Sequence, residues 1–165
     1  AILCALFLIF KLWPVFIKSA PWDPTPAHAV WRMLEMADLK KGERLYDLGC
    51  GDGRIVIIAA KYYRANAVGI ELDPLRYFIT KMRIKRNGLK NARAVRENLF
   101  NTDLTDADVV TMFLHQSVNN RMKTKLIKEL KDGARVVSHI WTFDGWKPDE
   151  IDKKDRVYLY RIKKD

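Results

Sequence analysis

The sequence predicts an α/β fold: a mostly parallel sheet with an antiparallel edge, flanked by helices and preceded by an N-terminal hydrophobic helix. Three observations predict it. Tyr46-Asp47-Leu48 runs into glycines at alternate positions, Gly49, Gly51 and Gly53, and then into Ile55-Val56-Ile57-Ile58-Ala59-Ala60, the order strand, tight turn, helix. Strand-like and helix-like stretches then alternate through residue 138, which calls for parallel strands covered on both faces. Val157-Tyr158-Leu159-Tyr160 has strand composition and fits a final antiparallel pair at the sheet edge.

A chain of 165 residues suffices for one domain with a substantial core. Its 48% hydrophobic and 30% charged residues are those of a folded protein, so disorder is excluded. The net charge of +10 favours an anionic partner: nucleic acid, a lipid surface or an acidic protein patch. The two cysteines, Cys4 and Cys50, fall in different environments and have no metal-ligand spacing. Neither a disulfide framework nor a metal site is expected.

Residues 1–18 read as a membrane anchor, 19–24 as a linker and 25–165 as one domain. From Ala1 to Ile17 only Lys11 and Pro14 lie outside the apolar set. As a helix that stretch spans about 25 Å, against about 30 Å of bilayer hydrocarbon. A signal peptide fits less well, because no small-residue cleavage pattern precedes the proline-rich turn. An amphipathic or core-docking helix is the third reading. Lys11 and Lys18 favour a cytoplasmic exit, or one into an equivalent compartment.

The prolines at 21, 24 and 26 make a stiff linker. Thr25 before Pro26 predicts a helix start, a hydroxyl cap followed by proline at the first helical position. That helix carries Val30, Met33, Leu34 and Ala37 on one face. Strand one is expected over 44–48, a helix to about Tyr63, and strand two over 67–71. Asp73-Pro74 opens a helix with Leu75, Phe78, Ile79 and Met82 on its apolar face. From Pro74 to Arg96 there are eight basic residues and no acidic one. Strands are expected at 92–95, 109–114 and 134–138, with a helix over 118–130 before the last.

The turn discriminates among nucleoside cofactors. A phosphate-cradling loop needs Gly-Lys-Ser/Thr, and this chain has Gly53-Arg54-Ile55. The dinucleotide fingerprint requires glycine where Arg54 stands. Glu71, ending strand two, is placed to accept hydrogen bonds from ribose hydroxyls. Asp47 would repel a pyrophosphate and suits a cofactor with a cationic amino-acid end.

Asp47-Leu48-Gly49-Cys50-Gly51-Asp52-Gly53 resembles motif I of the class I S-adenosylmethionine-dependent methyltransferases, and Gly69-Ile70-Glu71-Leu72-Asp73 resembles the ribose-binding motif that follows it. With Pro24-Thr25-Pro26, Glu97-Asn98-Leu99-Phe100, Val109 to Leu114 and Arg135 to His139, the chain is similar to the small archaeal protein-lysine methyltransferases and their membrane-anchored mitochondrial relatives. The resemblance implies a Rossmann-like class I methyltransferase sheet and S-adenosyl-L-methionine as cofactor. It implies cofactor contacts at Thr25, Asp47, Gly49, Cys50, Gly51, Asp52, Gly53, Glu71, Leu72, Asn98 and Leu99. Glu71 would hold the ribose, Asn98 and Leu99 the adenine, and Thr25 would close over the site. The residues alone leave other readings open: Thr25 as a helix cap, Asp52 as a cap, and Asn98 as a loop residue bonding its own backbone.

A lysine nucleophile must lose its proton, and desolvation in an aromatic channel lowers its pKa. No dedicated base is required, and no residue is singled out as catalytic. Phe113, His139 and Trp141, with His115 and Phe143, fall near the carboxyl ends of strands four and five and are the channel-wall candidates, with core or rim packing as the alternative for each. Strand four lacks the Asn/Asp-Pro-Pro-Tyr that many methyltransferases acting on planar nitrogens carry. The expectation is a monomeric enzyme methylating lysine in proteins, held at a membrane by the N-terminal helix and the basic helix 76–86. An RNA methyltransferase using the basic surface and a non-catalytic cofactor-binding module are the alternatives.

Overall fold

The computed structural model describes residues 24–164. The predicted anchor, 1–18, and the linker up to residue 23 lie outside the described residues. Among the described residues, no helix is long and apolar enough to cross a membrane.

The elements run α1 (Ala27–Met36), β1 (Arg44–Leu48), α2 (Arg54–Tyr62), β2 (Asn66–Glu71), α3 (Pro74–Arg86), β3 (Ala92–Arg96), β4 (Val109–Met112), α4 (Gln116–Glu129), β5 (Arg135–His139), β6 (Glu150–Asp152) and β7 (Val157–Arg161). The strands form one sheet in the order β3-β2-β1-β4-β5-β7-β6. The first five are mutually parallel; β7 pairs antiparallel with β5 and with β6. The strand order reverses beside β1, so the connections after β1 and β4 leave to opposite faces of the sheet, the place where open α/β sheets bind ligands.

Side-chain alternation along the strands builds two cores. Leu45, Ala67, Val109 and Val137 face α1 and α2, where Val30, Met33, Leu34, Val56 and Ala59 close the layer. Tyr46, Val68, Ile70, Val110, Met112 and Val136 face the other side, covered by Met122 and Leu126 of α4, the 99–107 loop and the Phe143–Trp146–Tyr160 aromatic group. Helices thus flank both faces, but among the described residues one side has a single helix and borrows loops and aromatics to exclude water.

Two local expectations are corrected. Thr25 is not a helix cap: Pro26 holds the N-cap position with no side-chain bond, and Thr25 is buried. Its carbonyl instead accepts from Arg54 Nη1 at 2.8 Å. The second correction concerns α3. Thr80 and Ile84 are its buried residues, while Leu75, Phe78 and Met82 point outward. The glycine turn decides the roll of this helix. Thr80 Oγ1 donates to the Gly51 carbonyl at 2.8 Å, and a Cβ on Gly53 would stand 2.5 Å from the Thr80 methyl. A small polar residue must face the turn, and the large apolar ones rotate away from it. The Asp73-Pro74 start is as expected, the Asp73 carboxylate accepting the Arg76 N–H at 2.9 Å.

Candidate active site

The turn after β1 is bent by glycines in the left-handed region, Gly49 at φ 76° and Gly53 at φ 76°, where a side chain is strained. Thr25, Asp47, Gly49, Cys50, Gly51 and Asp52 line one cleft together with Phe113, and Pro24, Arg54 and Ile55 complete its wall. Six of the sequence-predicted cofactor residues and one channel candidate are therefore neighbours. Gly53 lies behind the cleft, against Thr80 of α3.

Asp47 is buried and in register with Thr111 on β4, whose hydroxyl donates to Asp47 Oδ1 at 2.9 Å. Burial pushes its carboxyl up to about 7; the Thr111 hydrogen bond opposes this, and the Glu71 and Asp52 charges add to it. Near neutral pH this group is poised between charged and neutral forms. A cation placed beside it favours the charged form.

Glu71 is buried at the end of β2. Its Oε2 accepts the Gly51 N–H at 3.0 Å, and its Oε1 accepts the Asp73 N–H at 2.9 Å. A carboxylate has about four acceptor sites, so these bonds orient the group and leave acceptor capacity on each oxygen. Leu72, next in the chain, is 50% exposed and is not among the residues that line the cleft.

Asp52 is the hub of a charged clamp that the sequence does not announce. Its carboxylate accepts Arg54 Nε at 3.0 Å and Nη2 at 2.8 Å, and pairs with Arg83 Nη1 at 2.6 Å. Burial pushes its carboxyl up, but the Arg54 and Arg83 bonds outweigh that and hold it below the usual carboxylate range. Arg83 also donates to the Asp52 carbonyl at 2.7 Å. Asp52 Oδ1 also accepts the Arg54 N–H at 3.2 Å, but the N-cap position of α2 is held by Gly53, so Asp52 is not its cap. Sequence reasoning misses the clamp because Arg54 stands alone at the start of an apolar helix and Arg83 lies in a basic one, where it looks solvated until its partner is placed. The thiol of Cys50 is buried under the turn, which pushes its pKa up, and inert by that burial.

Asn98 and Leu99 follow β3 on the same edge, where the Glu97 N–H donates to the Glu71 carbonyl at 3.3 Å. Asn98 Oδ1 accepts the Phe100 N–H at 3.1 Å, the self-bonding turn of the alternative reading. Leu99 packs against the core on the α4 side.

The channel candidates sort into ring pairs at the carboxyl ends of β4 and β5. Phe113 packs on His139 with centroids 4.6 Å apart, and His115 on Trp141 at 4.8 Å. His115 also caps α4, accepting the Ser117 N–H. Phe143 takes the core reading: it is buried against Trp146 and Tyr160. Between His139 and Trp141, Ile140 has φ 66°, a strained conformation for a β-branched residue. A polar frame holds it there. Ser138 Oγ donates to the Trp141 carbonyl at 2.5 Å, and buried Asn119 Nδ2 donates to Ser138 Oγ and the Trp141 carbonyl, each at 3.0 Å. The Ile140 N–H donates to the Arg156 carbonyl at 2.8 Å. No residue pattern in the chain signals this turn. Among the described residues, no group of His, Cys, Asp and Glu side chains is arranged to hold a metal ion.

Known proteins resemble this arrangement over most of the chain. A protein-lysine N-methyltransferase of Saccharolobus islandicus is 44% identical over 89% of this chain and 96% of its own. The adenine nucleotide translocase lysine N-methyltransferase of Mus musculus is 32% identical over 93% of this chain and 72% of its own. A solved structure from Salinibacter ruber, described as an RNA methyltransferase in complex with S-adenosyl-L-homocysteine, superposes with a TM-score of 0.84. It is 40% identical and covers 87% of this chain and 95% of that one. The family model described as the ANTKMT methyltransferase domain matches residues 47–150, from the buried aspartate of the glycine turn to the first residue of β6. On that match and those identities, the chain belongs to this family of S-adenosylmethionine-dependent methyltransferases.

Proposed function

We propose that this enzyme transfers a methyl group from S-adenosylmethionine to the ε-amino group of lysine in a protein held at a membrane. The observation that carries the acceptor class is the likeness to the Saccharolobus protein-lysine N-methyltransferase, at 44% identity across nearly the whole of both chains.

The residues suit the cofactor. Asp47 is a buried acid beside the glycine turn, where a cationic amino-acid end relieves its burial by favouring the ionised form. Glu71 is fixed by two backbone bonds, with acceptor capacity for both ribose hydroxyls. Leu72, Asn98 and Leu99 take the adenine side. Thr25, tied to Arg54, closes the cleft from the N-terminal segment. S-adenosylmethionine, when bound, supplies an electrophilic methyl already attached to its leaving group.

The chain then has two tasks, alignment and exclusion of water. In well-oriented intramolecular reactions, alignment lowers the barrier by about 7–11 kcal/mol. The Phe113–His139 and His115–Trp141 pairs give a lysine side chain ring surfaces on which to shed water, which favours the neutral amine that attacks. Residues 1–18 serve as the anchor, and the domain faces a compartment that contains S-adenosylmethionine.

A second reading, RNA methylation, is favoured by the likeness to the Salinibacter protein and by the +10 charge. Radiolabelled methyl transfer into a membrane fraction separates the two. Label that protease removes and ribonuclease spares, with mass spectrometry placing it on lysine, supports the proposal. Label that ribonuclease removes sinks it.

A further inference from the structure

We propose that the outward face of α3 is a lipid-docking surface that seats the glycine-turn side of the domain on an anionic membrane. Leu75, Phe78 and Met82, spaced at i, i+3 and i+7, form a stripe of large apolar side chains that are 38%, 57% and 40% exposed. Lys81, Lys85 and Arg86 border that stripe and are themselves exposed. Nothing acidic interrupts it, since no Asp or Glu occurs between Pro74 and Arg96. A helix face that is only solvated has little use for three large apolar side chains in a row. Apolar residues ringed by one sign of charge match a helix lying at the boundary between headgroups and acyl chains.

The position of α3 supports the same occupant. Thr80 and Arg83 fasten the inner face of this helix to Gly51 and Asp52 of the turn. Pro24 and Thr25, the first described residues, line the cleft at that same turn. The described chain therefore begins beside the turn that α3 braces, downstream of the apolar stretch 1–17, which suits one lipid surface for both. The charge pattern also selects lipid over the chain's own N-terminal segment. Between residues 1 and 18 the charged side chains are Lys11 and Lys18, which offer α3 no complement. The surface is independent of the acceptor proposed above and deepens that reading, because a domain seated this way presents its cleft to lysines at the membrane surface.

The test uses the full chain and two variants, Leu75→Ser/Phe78→Ser/Met82→Ser and Lys81→Glu/Lys85→Glu/Arg86→Glu, with phosphatidylcholine vesicles containing or lacking about 30% phosphatidylserine. The unaltered chain should partition into the anionic vesicles at least about tenfold better than into the neutral ones. Each variant should lose that preference, with its melting temperature and methyl transfer to a soluble lysine peptide unchanged. Should one variant fail to fold, the other decides, since each removes a different half of the surface. An anionic preference that survives in both overturns the proposal. So does cross-linking of residues 1–23 to α3 without vesicles, which makes the chain's own segment the occupant. Binding of single-stranded RNA that the charge variant abolishes, with vesicle preference unmoved, overturns it in favour of nucleic acid. Failure of methyl transfer would count against the proposed function and leave the vesicle result to stand by itself.

Discussion

The glycine turn and the aromatic wall stand at the same carboxyl edge of the sheet, yet they are built by different means. The turn is made of backbone: left-handed glycines, two main-chain N–H groups on Glu71, and an aspartate clamped by two arginines. The wall is made of side chains, two ring pairs set by a strained residue and a buried asparagine. A backbone site fixes its ligand before binding and accepts little variation. A wall of rings offers shape and a dry surface, and can be changed without disturbing the turn. Under the proposed function, the turn is the donor half and the ring wall the acceptor half, built by separate means.

The largest expected effect breaks that comparison at the turn. Glu71→Ala removes the acceptor that anchors two backbone N–H groups and is proposed to hold the ribose, and should weaken S-adenosylmethionine binding by about 100-fold or more in calorimetry. Trp141→Ala should leave that affinity within about twofold while lowering kcat on a protein acceptor by about 10- to 100-fold. A loss of cofactor affinity in Trp141→Ala would show that the two halves are not separable.

The two halves are also unequally legible in the sequence. Glycine spacing, Asp47 and Glu71 are readable because a tight turn needs positive φ and a cofactor needs charge at fixed strand ends. The parallel sheet with its antiparallel edge follows from the alternation of elements. The acceptor half offers only ring-bearing residues near strand ends, which is why Phe143 groups with Trp141 in the sequence although one is core and the other wall. Periodicity misleads in α3 for a related reason: an apolar stripe marks a face that avoids water, and a membrane serves that purpose as well as a core does. Asn119 and Ser138 are invisible, because their function is to bond a backbone whose path the chain does not advertise.

A smaller effect sharpens the comparison through protons. The folded pKa of Asp47, about 7, lies above the ordinary carboxyl value of 3.8. The folded chain therefore keeps a proton that the unfolded chain releases, and stability declines as pH rises from about 4 to about 7. Cofactor affinity should run the opposite way, falling about tenfold for each pH unit below 7, because the cationic end needs the ionised carboxylate. Asp47→Asn should flatten both profiles, raising the melting temperature at pH 8 while binding the cofactor weakly throughout. A pH-independent affinity in the unaltered enzyme would remove Asp47 from contact with the cation.

The smallest effect concerns Ile140. A β-branched residue at φ 66° costs on the order of 1–2 kcal/mol, and asparagine tolerates that conformation better. Against the gain stands the loss of partly buried apolar surface, so Ile140→Asn should stabilise by at most about 1 kcal/mol, roughly 2–4 °C. The frame of Ser138, Asn119 and the Arg156 carbonyl does not depend on the side chain at 140 and should keep the turn in place. Methyl transfer should then fall by less than about fivefold, with cofactor affinity unchanged. If kcat collapses while the melting temperature rises, the isoleucine itself sets the wall, and the strain serves the acceptor half.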